Sequence, residues 1–142
     1  MNIVSTLNNE LLKQPFQDGQ NESVLLAEGQ RMAFRYAGVE NAIAVLSDLR
    51  SNRSYIYNGG LAEGLNIAAR GSTKEIHSIW EEDIFDRIQP DDLLNKHLLE
   101  LHFFHFLKSL PVGERSDYHI ASRMRMADKS GVYIPVYHRM FY

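Results

Sequence analysis

The chain has 142 residues, which suits one compact domain and leaves too little material for two well-packed ones. Apolar residues make up 44% of it and charged residues 23%, values that are ordinary for a protein with a hydrophobic core and far from those of disordered chains. A formal net charge of -3 excludes the general basic excess that would draw the domain onto nucleic acid or an anionic membrane. Cysteine is absent, which excludes disulfides, thiolate nucleophiles and cysteine-ligated metal sites.

The N-terminal segment MNIVSTLNNELLKQ has neither the basic start nor the long apolar centre of a signal peptide. No apolar run in the chain approaches the roughly 20 residues that span a bilayer. We therefore expect a cytoplasmic protein without a membrane partner.

The first predicted elements are a leader and a helix. Residues 1–21 begin with a short amphipathic segment around Leu7 and then become polar and rich in turn-forming residues, which predicts a polar leader. Residues 22–39 carry apolar side chains at spacings that fall on one face of a helix. This pattern predicts a helix that packs on a core or on a second copy of itself. The residues of that packing face are Leu25, Met32, Tyr36 and Val39.

A hairpin and several short helices are predicted next. Residues 42–49 and 54–58 are rich in β-branched and aromatic side chains and flank the turn-like sequence RSNR, a pattern typical of a β-hairpin. Gly59 and Gly60 end the hairpin, and a short helix and a loop follow. Over residues 74–85 the apolar side chains return to helical spacings, so a further short helix is predicted there.

The clearest helical pattern runs over residues 91–110. It begins just after a proline, where the carboxylates of Asp91 and Asp92 could accept the free N–H groups of the first turn. At about 1.5 Å per residue this helix would be about 30 Å long, enough to cross a small domain. Its last turns are apolar on more than one side, which implies a second partner surface that includes Phe103 and Phe106.

The last predicted element is a hairpin with strands over residues 117–126 and 132–142. The first strand alternates between an apolar side and a side that carries Arg123 and Arg125. In the second strand Pro135 cannot donate a ladder hydrogen bond, so we expect it at a non-bonded or edge position.

Three segments of the sequence carry a family resemblance. They are ENAIAVLSDLRSNRSYIYNGGLAE (residues 40–63), IWEEDIFDRIQPDDLLNKHLLELHFFHFLKSLP (79–111) and SRMRMADKSGVYIPVYHRMFY (122–142). Together they closely resemble the PAS-like N-terminal region of LuxR-type bacterial transcriptional regulators. The phrase IFDRIQPDD resembles a widespread PAS phrase that contains His-Pro-Asp-Asp, with Gln89 here in place of the His. The resemblance covers about residues 22–142.

This resemblance implies an α+β fold with a PAS-like antiparallel sheet, helices on one face and a preceding N-terminal helix. A PAS sheet has five strands, and the fifth lies between the first and the fourth. Because the sequence ends within the predicted fourth strand, we expect a domain over residues 22–142 that is truncated before its last, central strand. Two open strand edges would then be available for pairing with another chain.

The resemblance also implies a function. It is that of a sensory or dimerising input domain of a transcriptional regulator, which binds a small ligand or partner and relays the signal to a DNA-binding domain outside this sequence. We expect a homodimer that is not an enzyme and that contacts DNA only through that absent domain. The resemblance specifies no cofactor.

A ligand cavity of a PAS-like domain would lie between the inner sheet face and the helices. It should be mainly apolar, with a few polar groups that fix orientation. An interpretation of the same side chains as plain core residues stays open. The candidates, chosen by periodicity and apolar character, are Val45, Ile56, Trp80, Phe85, Leu98, Leu101, Met124 and Val136.

Histidines of the long predicted helix raise the possibility of haem or metal. His102 and His105 lie three residues apart on adjacent parts of one face. His97 points about 80° away from His105 on a helix of 3.6 residues per turn, so the three do not converge. We therefore expect no metal site and interpret them as surface or hydrogen-bonded groups.

Two residue sets of the kind that an enzyme would need can also be named in the sequence. The acidic cluster that begins at Glu81 is interpreted as helix caps and a solvated face. Ser122, His119 and His138 could form a catalytic set, but no serine lies in a G-x-S-x-G nucleophile-elbow sequence. The alternative left open is a small cone-shaped α+β enzyme of the ketosteroid-isomerase or dehydratase type, which needs a His or Asp with a matched pKa in its pocket.

Overall fold

The computed structural model describes residues 2–14 and 22–142 and divides the chain into two compact units. One unit joins Phe85–Tyr142 to the N-terminal residues up to Glu10, and the other is Leu11–Ile84. Helices and antiparallel strands make up the fold, so the predicted α+β class is confirmed. The polar part of the predicted leader, residues 15–21, lies outside the described residues.

The helices and strands are numbered in chain order. The helices are α1 (Ile3–Leu12), α2 (Glu22–Val39), α3 (Gly60–Gly64), α4 (Glu82–Phe85) and α5 (Pro90–Lys108). The strands are β1 (Ile43–Asp48), β2 (Arg53–Asn58), β3 (Thr73–Ile76), β4 (His119–Ala127) and β5 (Tyr133–Phe141), and a 3₁₀ helix spans Val112–Asp117. The strands form two antiparallel sheets, one of order β1–β2–β3 and one of β4 with β5.

The predicted first hairpin is confirmed as β1 and β2, in which Val45 lies opposite Ile56. The helix predicted over residues 74–85 is wrong for its first part, because Thr73–Ile76 pairs with β2 as β3. The free edge of β2 offers backbone partners to this segment, and an ion pair of 3.0 Å between Arg53 and Glu75 joins the two strands. Only the last turn of the predicted segment is helical in the structure, and this turn is α4.

Helix α2 follows its predicted bounds and packs on β1 and β2. Gly29 brings the helix close to the sheet, since a Cβ at that position would lie 3.2 Å from the Leu46 side chain. Further along, Phe34 contacts Tyr57 edge to face, with ring centroids 6.3 Å apart. The helix therefore has an inner face on the sheet and an opposite outer face, which the burial pattern leaves exposed.

Gly59 marks the closest backbone approach in the Leu11–Ile84 unit. Its N–H donates to the carbonyl of Ala42 over 2.7 Å, where the end of β2 passes the start of β1. A Cβ on Gly59 would collide with the carbonyl oxygen of Ala37 and lie 2.5 Å from that of Ala42. Glycine is therefore required here for space.

Helix α5 is confirmed near its predicted bounds, but its cap differs from the prediction. The side chain of Gln89 accepts the N–H of Asp92 over 2.9 Å. The predicted capping role of Asp92 is wrong, because its carboxylate binds Arg125 on β4 instead. Gln89 can cap because its amide oxygen reaches the first turn as a shorter N-cap side chain would.

The second predicted hairpin is confirmed as β4 and β5. The N–H of Arg125 donates to Asp92 and its carbonyl accepts the N–H of Gln89, so both groups point away from β5. Pro135 lies opposite Arg125 and therefore occupies a non-bonded position, as predicted. The inward side chains of β4 include the buried Met124 and Met126.

Helix α1 is part of the folded structure. Leu7 is completely buried, and the Glu10 carboxylate lies 3.5 Å from the ammonium of Lys108 at the end of α5. No helix within residues 2–14 and 22–142 is long and apolar enough to cross a membrane.

We expect Gly59→Ala to lower the free energy of unfolding by about 2 kcal/mol or more, because the added methyl group collides with the backbone carbonyls of Ala37 and Ala42. Urea unfolding followed by circular dichroism measures the change. Gly113→Ala is the matched control, since a Cβ there meets no atom within 4 Å. Equal stability of the two variants would contradict the close approach.

Candidate functional site

The buried face of α5 carries two charged side chains in line with aromatic and aliphatic ones. Lys96 and Glu100 lie one helical turn apart and continue the stripe formed further along by Phe103, Phe104 and Leu107. Lys96, Phe103, Phe104 and Leu107 are buried, and Glu100 is nearly so. A buried lysine is rare in proteins unless it is paired.

Lys96 is paired with Glu100. Its ammonium donates to the Glu100 carboxylate, and the two side chains are only 9% and 14% exposed. The same ammonium lies 4.7 Å from the ring centroid of Phe85, which adds a cation–π contact. The pair is therefore held in surroundings of low polarity, where its charges are screened far less than at the surface.

His97 lies beside this pair. It is 4% exposed and meets Phe85 edge to face, with ring centroids 5.4 Å apart. Burial lowers the pKa of His97, the Lys96 charge lowers it further, and Glu100 acts in the opposite sense. The imidazole of His97 is consequently neutral at pH 7.

A second histidine that the charges of the pair affect lies on the hairpin. His138 is on the inner face of β5, directly opposite Ser122 of β4. Burial and, after it, the charge of Lys96 lower the pKa of His138 to about 4, against the opposing effect of Glu100. The charges of Lys96 and Glu100 act on both histidines, so we treat the four side chains together on electrostatic grounds.

We call Phe85, Lys96, His97, Glu100 and His138 the polar cluster. It combines one charged donor, one charged acceptor and two neutral imidazoles, each of which offers one donor and one acceptor nitrogen. A histidine with a pKa near 4 is a weak base at pH 7. The cluster is therefore suited to hydrogen-bonded recognition of a polar group rather than to proton transfer.

The predicted pocket residues fall in both units. In Leu11–Ile84, Ile56 is buried and Trp80 half-buried, whereas Val45 is 37% exposed. In the other unit Met124 and Val136 are buried and lie opposite each other on the inner hairpin face, and Phe85 belongs to the polar cluster. Leu101 is half-buried and Leu98 is 37% exposed.

The predicted packing residues divide into exposed and covered ones. Leu25, Met32 and Val39 are exposed on the outer face of α2, and Tyr36 is half-buried. On α5 Phe106 is 44% exposed and contacts Tyr118, with ring centroids 5.1 Å apart. Phe103 is buried at 7%, so it offers little surface to a second partner.

The other histidines that the sequence singled out are not part of the polar cluster. His102 is exposed, and the ring of His105 lies 3.3 Å from the carboxylate of Glu10. Among the described residues no three side chains capable of binding metal lie together. His119 stacks on Phe141 on the outer hairpin face, away from Ser122 and His138, so the suggested catalytic set does not assemble.

One acidic prediction needs correction. Glu81 was assigned to a solvated face, yet it is buried at 8%. The neighbouring Glu82 and Asp83 are exposed in the first turn of α4, which agrees with the predicted solvated face.

A shallow surface depression of about 250 Å³ lies where α5 passes the start of β4. It is mainly apolar, and its rim carries two histidines. Its lining residues are Leu99, His102, Phe103, Phe106, Tyr118, His119 and Ile120.

No protein-family model matches this chain, and no curated protein matches it.

We expect the stability of the chain to fall as the pH is lowered from 6.5 to 4. The unfolded state binds a proton at His138 near pH 6.5, whereas the folded state resists it until about pH 4. Stability is therefore full above pH 6.5 and declines below it, by up to about 3 kcal/mol for this group. Urea unfolding at a series of pH values measures the decline.

The variant His138→Gln should flatten this pH dependence, because it removes the titrating group and keeps a polar side chain. His102→Gln, on the exposed side of α5, is the matched control and should retain the decline of the wild type. A His138→Gln profile that matches the wild type between pH 6.5 and 4 would rule out a neutral imidazole at this position.

Proposed function

We propose that the chain is a PAS-like sensory or dimerising input domain of a LuxR-type transcriptional regulator. In this role it is a cytoplasmic homodimer that binds a small ligand and relays its presence to a DNA-binding domain outside this sequence. The observation that carries the proposal is the polar cluster, in which the charges of a buried ion pair on α5 act on two neutral histidines, His97 on α5 and His138 on the inner face of the hairpin.

Buried ion pairs are poor devices for stability. Their desolvation offsets most of the attraction, and replacing such a pair with apolar residues is often neutral or stabilising by about 1–4 kcal/mol. The stripe around Lys96 and Glu100 is otherwise apolar, with Phe103, Phe104 and Leu107 in line. A polar pair in this position is better accounted for by recognition than by packing.

The chemistry of the cluster indicates the class of ligand. A small molecule with a carboxylate could replace Glu100 at the Lys96 ammonium, and its hydroxyl or amide groups could bond to His97 and His138. Such a ligand would favour a changed packing of α5 against β4, which supplies the relay that an input domain needs.

Support for a binding module over an enzyme of the ketosteroid-isomerase or dehydratase type comes from the histidines. A general base works best with a pKa near the working pH. The pKa of His138 is about 4 and that of His97 is also lowered, so neither is matched to proton abstraction at pH 7.

The test compares the buried pair with an exposed one. We expect Lys96→Met to lower the free energy of unfolding by about 3–5 kcal/mol, because it leaves Glu100 buried and unpaired. The double variant K96M/E100L should be as stable as the wild type or more so. The control is R53M/E75L, which removes an ion pair whose side chains are each 44% exposed.

Ligand binding is then measured on the same proteins. The wild-type chain and the double variants are incubated with a mixture of small carboxylic acids and examined by native mass spectrometry and thermal shift. We expect an added ligand mass on the wild type and on R53M/E75L and none on the stable K96M/E100L chain. Equal ligand uptake by K96M/E100L, or a large loss of its stability, would mean that the cluster serves packing only.

A further inference from the structure

The outer face of α2 repeats every seven residues. Leu25, Met32 and Val39 are 64%, 71% and 82% exposed, which is unusual for three large apolar side chains on one helix. At about 100° per residue, a seven-residue step drifts by only about 20°, so the three form a nearly straight seam.

Two opposite charges accompany this seam. Glu28 and Arg35 are exposed on the same side of α2, each within one turn of Met32. Neither side chain takes part in an ion pair or side-chain hydrogen bond within residues 2–14 and 22–142. The inner face of the helix is occupied by the sheet, so the outer face is the one available to a partner.

The apolar and charged side chains on the outer face of α2 are complementary to those of a second, antiparallel copy of the helix. Leu25 and Val39 each lie seven residues from Met32, and Glu28 and Arg35 lie four and three residues from it in opposite directions. A two-fold axis at Met32 would set Leu25 against the partner's Val39 and Glu28 beside the partner's Arg35. In a parallel, in-register pair Glu28 would lie beside the partner's Glu28 and Arg35 beside the partner's Arg35. Like charges placed together in this way are unfavourable.

We propose that α2 forms an antiparallel, two-fold symmetric contact with α2 of a second copy of this chain, centred on Met32. The apolar seam provides burial, and two symmetric Glu28–Arg35 ion pairs select the antiparallel direction over the parallel one. This inference rests on the proposed function for its dimer, and it is independent of the polar cluster and its ligand.

Cysteine cross-linking of the full chain tests the direction. The chain has no cysteine of its own, so each substitution introduces a single thiol. A disulfide needs Cα atoms closer than about 7 Å. Met32→Cys should cross-link to itself, and a mixture of Leu25→Cys and Val39→Cys chains should give the mixed disulfide.

Leu25→Cys alone distinguishes the two directions. In the antiparallel contact its two copies lie about 21 Å apart along the helices, so no disulfide should form. Efficient self-cross-linking of Leu25→Cys would indicate a parallel pair and overturn the proposal.

Charge reversal tests the selectivity. Glu28→Arg and Arg35→Glu should each weaken the dimer about tenfold, because each turns two attractive contacts into repulsive ones. Mixing the two single variants, or combining them as E28R/R35E in one chain, should restore the wild-type affinity. The control is Lys129→Glu in the exposed β4–β5 turn, which should not change it.

Analytical ultracentrifugation measures the affinities, and circular dichroism checks that each variant is folded. A dimer that is insensitive to both charge reversals would mean that another surface forms it, which overturns this contact and leaves the proposed dimerisation intact. A wild-type chain that stays monomeric at 100-fold increasing concentrations would overturn both, whereas ligand binding would remain as measured on the polar cluster.

Discussion

The carboxylate of Asp92 fixes the start of α5 to β4, and the rest of the candidate site depends on that attachment. It accepts the backbone N–H of Arg125 over 2.8 Å and two guanidinium N–H groups over 2.9 and 3.0 Å. These hydrogen bonds lower the pKa of Asp92, so the carboxylate stays ionised at neutral pH. Because Lys96 follows Asp92 by one helical turn, the same attachment fixes the part of α5 that carries the ion pair relative to β4.

The two units contribute different properties to the proposed input domain. Polar groups lie among apolar ones on the buried face of α5, where recognition of a ligand would compete with the Lys96–Glu100 pair. Helix α2 shows the opposite arrangement, because apolar side chains lie on its exposed outer face, which the sheet does not cover. A buried polar site and an exposed apolar face are both costly to a lone chain, which favours a ligand for the first and a second copy for the second.

Much of the fold follows from local pattern. Alternation identified β4 and β5, and helical spacing identified α2 and α5, because each element has a clear period or a clear stop signal. Strand β3 was missed because its pairing with β2 is a tertiary contact. The buried face of α5 was also missed: apolar residues surround this helix, so apolar character favoured Leu98, while the chain buries Lys96 and His97. The Lys–Glu spacing of one turn, in line with Phe103 and Phe104, was the available signal.

The most direct test of this account is the titration of His138 by nuclear magnetic resonance, with the ring resonances assigned by comparison with His138→Gln. If the imidazole lies beside Lys96 in buried surroundings, its resonances should remain those of the neutral form until the pH approaches 4. A midpoint near the ordinary value of 6.5 would mean that His138 is solvated and that no polar cluster joins α5 to the hairpin.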